Sequence, residues 1–172
     1  MSTPIRPTNR LPRVLEGRWF HVMNHAPVGE SLFSTEDAAD RFVINLGKIA
    51  TERPVVVHAY CAMGNHYHLL VRTTESELRR AIRFLEAELT EEIGAPRVLP
   101  LEVGRHLLGV TRYIHRNPVE AGLVDRPEEW RWSSYRGYLD YWEGPFWLRS
   151  SAVLGWLGCL APRALYRRYV DD

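Results

Sequence analysis

The residues of this chain best suited to chemistry lie in the run Asn65-His66-Tyr67-His68-Leu69. Side chains alternate along a β-strand, so two histidines separated by one residue project from the same face and both imidazoles can reach one metal ion. The same spacing also suits a polar strand face that binds nothing. Arg72 continues the alternation His66, His68, Leu70, and a guanidinium on that face suits a phosphate, although a solvated strand end would read the same way. A second pair, Tyr113 and Asn117, is spaced by four residues, which sets both side chains on one side of a helix. A phenol is a nucleophile and a carboxamide a neutral ligand. On local grounds Tyr113 also reads as a packed helix aromatic, and Asn117 as a turn residue that ends the helix before Pro118.

Positioning these groups requires strands for the first pair and a helix for the second. Gly17 to His25 reads as a first strand after a proline-punctuated arm over residues 1–16. Ser34 with Asp37 makes a helix start, and Ala39, Phe42, Val43, Leu46 and Ile49 follow at helical spacing. Pro54 to Met63 reads as a central strand, Gly64-Asn65 as a turn, and His66 to Arg72 as the returning strand of a hairpin. Tyr67, Leu69 and Val71 then face the helices, leaving His66, His68, Leu70 and Arg72 on an open face. Thr74 with Glu77 resembles a capping box, opening a long helix with the stripe Leu78, Ala81, Ile82, Leu85 and Leu89 that ends near Gly94, with Arg79, Arg80 and Arg83 outward. Arg97 to Leu101 supplies a short fourth strand, and Glu102 to about Arg116 a third helix with Val103, Leu107, Val110 and Ile114 inward. The class is α+β, and the order βαββαβα is that of a ferredoxin-like, RRM-type sandwich on an antiparallel sheet.

At 172 residues the chain is about one domain long. Cys61 and Cys159 fit no metal or redox spacing and read as ordinary buried thiols of a reducing compartment. No apolar run spans a membrane and no apolar core follows the basic amino terminus, so a cytoplasmic location without a membrane partner is expected. A net charge of +1 is low for a nucleic-acid binder, but Lys48 is the only lysine, and the arginines that replace the others suit bidentate phosphate contacts. Beyond residue 124 the aromatics Trp130, Trp132, Tyr135, Tyr138, Trp142 and Trp147 are too many for a tail: some pack an extension onto the domain, and the alternative for one or two is stacking on unpaired bases. The extension closes with a helix over Pro162 to Val170, Leu165 and Tyr169 inward and Arg163, Arg167 and Arg168 outward.

Three segments in order, HAYCAMGNHYHLLV, YIHRNPVEAGLV and WRWSSYRGYL, resemble the REP-associated tyrosine transposases of the single-tyrosine HUH superfamily. The resemblance implies a catalytic domain over residues 17–124, an extension over 125–172, and DNA transposition by nicking and strand transfer on single-stranded, hairpin-bearing (REP-like) DNA. It further implies His66 and His68 as metal ligands, Asn117 as a further ligand, Tyr113 as the nucleophile that forms a 5′-phosphotyrosine, and magnesium or manganese as the cofactor, with no nucleotide cofactor. Arg72, Arg112 and Arg116 are the candidate DNA-binding cations, and monomers and homodimers both occur among relatives.

Between about Leu89 and Leu101 the pattern departs from these relatives, which carry a longer basic connection where this chain has TEEIGAPRVLP, with Glu91 and Glu92 acidic. Fewer cations there weaken phosphate neutralisation, so a catalytically degenerate DNA-binding remnant is the alternative reading. A metal-dependent hydrolase unrelated to DNA ranks lowest, because no carboxylate neighbours the histidines in sequence.

Overall fold

A computed structural model describes residues 17–87, 89 and 93–172. Strands β1 (Arg18–His25), β2 (Val56–Ala62), β3 (His66–Thr73) and β4 (Arg97–Leu101) form one antiparallel sheet in the order β2-β3-β1-β4. Helices α1 (Glu36–Glu52) and α2 (Glu75–Glu86) cover one face, and α3 (His106–Glu120) lies across the other against β2 and β3. This is the ferredoxin-like sandwich expected from the sequence. The arm expected over residues 1–16, and Glu91 and Glu92 of the shortened connection, lie outside the described residues.

The elements form where local chemistry asks for them. Thr35, one residue past the expected Ser34, caps α1 by accepting from the Ala38 amide, and Thr74 caps α2 by accepting from Glu77. Tyr67 points to the helix side, packing on Phe42 of α1, while its hydroxyl donates to Glu86 at the end of α2 at 2.6 Å. Helix α2 stops at Glu86 rather than near Gly94, and Asn24 of β1 donates to the Gly94 carbonyl at 2.8 Å. Arg79, Arg80 and Arg83 are exposed, as expected.

On the opposite face the expectation of an open sheet is corrected. His68 and Leu70 are buried there, because α3 and the extension roof that side. Helix α3 also differs: it starts at His106, not Glu102, and leaves Val103 exposed. It continues through Asn117 and Pro118 to Glu120, since a proline in the last turn forfeits one hydrogen bond while the turns before it stay packed.

The extension holds α4 (Tyr135–Leu139), α5 (Ser151–Leu154) and α6 (Pro162–Asp171). It runs along the outer edge of β2, where backbone bonds join Ala62 to Trp132 at 2.9 Å, Ser134 to Tyr60 at 3.0 Å and Arg149 to Val57 at 3.0 Å. The Trp132 indole donates to Asp40 of α1 and the Trp130 indole to the Ala62 carbonyl, both at 2.9 Å. Trp147 lies against Gly47, where an added Cβ would come within 2.7 Å of its indole nitrogen. Trp142 stands almost fully exposed, and Cys159 is exposed against the expectation of two buried thiols.

At the centre of this half, the fully buried His115 of α3 meets the Tyr166 hydroxyl through Nδ1 and Ser134 Oγ through Nε2, each at 2.8 Å. Helix α6 is therefore rotated by one residue from expectation. Tyr166 and Val170 are buried, while Leu165 and Tyr169 lie partly exposed.

Candidate active site

The β2–β3 hairpin carries the histidine pair, and α3 passes directly above it. Asn117 bridges the two rings: its Oδ1 lies 2.8 Å from His66 Nε2 and its Nδ2 lies 3.3 Å from His68 Nε2. One turn back along α3, the Tyr113 ring stands edge-on to His68, with centroids 5.2 Å apart and planes at 79°. Tyr113 is 44 % exposed, so its hydroxyl is not buried among aliphatic neighbours. Two stretches far apart in sequence thus converge, because α3 runs over β3 with the 113/117 side toward the histidines.

The rings are held from behind. His66 Nδ1 lies 2.8 Å from Asn65 Oδ1, and His68 Nδ1 lies 3.1 Å from Nε2 of His21 on β1. The structure adds His21 to the site. His21 carries no local signature in the first strand, and only its register, two positions diagonal from His68 across the β1–β3 ladder, brings it there. Burial disfavours the imidazolium form throughout. His68 is lowered to about 3 by burial, with His21 and His66 adding to it, and His21 to about 4 by burial and then Arg97. His66 is lowered by burial, with the Asn117 bond opposing.

Neutral rings expose lone pairs, so the donor set can be tested for a cation. A neutral His66 holds one proton. With that proton on Nδ1 and directed to Asn65, its Nε2 and Asn117 Oδ1 turn two lone pairs on one point, which a cation would satisfy. The 2.8 Å separation of His66 Nε2 and Asn117 Oδ1 also matches the edge of about 3 Å between adjacent ligands of an octahedral ion with bonds near 2.1 Å. The set fits a divalent ion. Among the described residues no group of three His, Cys, Asp or Glu side chains could hold a metal, so any ion here rests on two imidazoles and a carboxamide.

The three arginines lie elsewhere. Arg72 is at the other end of β3, roughly 13 Å along the strand from His68, with its Nε donating to the Gly17 carbonyl. Arg112 and Arg116 point away from the histidines and donate to the carbonyls of Tyr169 and Val170 at 2.7 and 2.6 Å, where the last turn of α6 leaves acceptors unmatched.

Fold and site together describe a ferredoxin-like sandwich with a tyrosine-bearing helix laid over a His-x-His strand. The same fold occurs in the solved structure of a REP-associated tyrosine transposase bound to a REP hairpin, with a TM-score of 0.60 and 18 % identity. The alignment covers 87 % of this chain and 92 % of that one, so at least part of the extension falls within the likeness. No protein-family model and no curated sequence matches this chain. None of the described helices is long and apolar enough to cross a membrane.

Proposed function

We propose that this chain is a REP-associated tyrosine transposase that nicks hairpin-bearing single-stranded DNA and transfers the strand through Tyr113. The observation that carries the reading is the convergence of Tyr113 and Asn117 on His66 and His68, within one turn of helix and one strand. In this scheme the Tyr113 oxygen attacks the scissile phosphorus and the 3′ oxygen leaves, taking up the proton that the phenol gives up. A 5′-phosphotyrosine remains. The reverse attack by a 3′ hydroxyl restores a phosphodiester, so strand transfer needs no nucleotide cofactor.

His66, His68 and Asn117 would hold magnesium or manganese, which when bound polarises the phosphate and stabilises charge developing on it. The protein's own part is placement. The T-shaped seat of Tyr113 on His68 fixes the phenol's approach, and the exposure of its ring leaves room for a strand to enter. The fold shared with a hairpin-bound transposase supports hairpin DNA as the partner.

The test is a denaturing gel of single-stranded hairpin DNA incubated with manganese and protein. The expected result is a covalent protein–DNA adduct with the wild type and none with Tyr113→Phe, while both bind the hairpin equally. Hairpin binding without any adduct in the wild type would instead establish the non-catalytic remnant.

A further inference from the structure

We propose that His21 is the positioning residue of this site, holding His68 in the tautomer whose Nε2 lone pair faces the metal position. The inference rests on the reading of His66, His68 and Asn117 as a metal-binding set. His68 has a contact at each ring nitrogen: Nε2 with Asn117 Nδ2 at 3.3 Å and Nδ1 with His21 Nε2 at 3.1 Å. An amide nitrogen only donates, so His68 Nε2 accepts and carries no proton. The single proton of the neutral ring then sits on Nδ1 and is donated to His21.

His66 is arranged in the same way from the other side, its Nδ1 directed to Asn65 Oδ1, which only accepts. Each candidate ligand therefore has its own acceptor behind it, one from β1 and one from the β2–β3 turn. Such partners orient a ligating imidazole and raise its basicity, and their loss typically costs about 10- to 100-fold in metal affinity.

His21 is well placed to act as a fixed post. Its Cα pairs with Leu70 of β3 on one side and Leu99 of β4 on the other, so the backbone is held by ladders on both edges. The side chain is 6 % exposed, and its ring centroid stands 6.2 Å from that of Tyr113 at 74°. One imidazole thus borders the phenol and orients the ring beneath it.

The experiment uses the full chain labelled with 15N at histidine, and manganese alone as the probe. Long-range proton–nitrogen spectra of the wild type are expected to show His68 protonated at Nδ1. Free manganese read by electron paramagnetic resonance is expected to show binding weakened about 10- to 100-fold in His21→Leu, and less than about 10-fold in His21→Gln, which keeps an acceptor. His68 protonated at Nε2 in the wild type would overturn the proposal, as would unchanged manganese affinity in His21→Leu when His68→Ala abolishes binding. Unchanged affinity in His68→Ala would overturn the metal-site reading and this inference with it. Should His21→Leu fail to fold, the wild-type spectra and His21→Gln decide.

Discussion

Replacing His115 with phenylalanine tests whether the extension grips the tyrosine helix through one buried polar relay. Ser134 Oγ donates to the Tyr60 carbonyl at 3.1 Å and accepts from the Tyr60 amide at 2.9 Å, so it has two partners besides His115. With the Ser134 proton spent on that carbonyl, Oγ accepts from His115 Nε2, and Nδ1 accepts from the Tyr166 hydroxyl. His115→Phe therefore leaves Ser134 satisfied and strands the Tyr166 hydroxyl in a site with no exposure. An unmet buried donor costs about 1–3 kcal/mol, and the larger ring among Tyr135, Tyr138 and Tyr166 adds about 1 kcal/mol. Urea unfolding at pH 7 should show a loss of about 2–4 kcal/mol. Adding Tyr166→Phe removes the stranded hydroxyl and should restore about 1–2 kcal/mol, whereas Tyr166→Phe alone destabilises. Strictly additive losses in the double variant would refute the relay.

Two further outcomes follow from the site and its burial. Calorimetry should show weak magnesium or manganese binding to the DNA-free protein, tightening when hairpin DNA is added, because two neutral imidazoles and an amide bring no negative charge to the ion. Acid should unfold the protein early. His58, His68 and His115 are held by burial at about 4, 3 and 3, below the unfolded value near 6.5, so the unfolded chain takes up protons first. Stability is then full above about pH 6.5 and falls below it until the folded values are reached. Between pH 7 and 5.5 the loss is about 1 kcal/mol for each ring, so a few kcal/mol for the three together. A flat urea midpoint across that range would refute it.

The sandwich was legible because it rests on short periodicities, whereas the meeting of its two motifs was implied by the family resemblance and not by their spacing. The alternation through His66, His68 and Leu70 fixed which side chains share a face, and the four-residue step from Tyr113 to Asn117 fixed the helix side. Contacts set by tertiary packing were not legible. Leu165 and Tyr169 form as good a stripe as Tyr166 and Val170, and what selects the second is a hydrogen bond to His115, fifty-one residues away in the chain. Pro118 suggested a helix end at Asn117, yet the roofing of the sheet keeps that turn helical. Nor do the residues near Arg112 and Arg116 in sequence show that both donate to carbonyls at the end of α6, since that depends on how the extension returns.

The strip of extension along β2 also bears on how copies of this protein meet. Fibrils grown strand upon strand need two receptive rims on every molecule. Here one rim is already spent on the chain's own residues from Trp132 to Arg149. Among the described residues only β4 leaves a rim without a partner strand, and that rim is five residues long and includes Pro100, which has no N–H to offer. Two molecules joined there edge to edge would have no described rim left to extend.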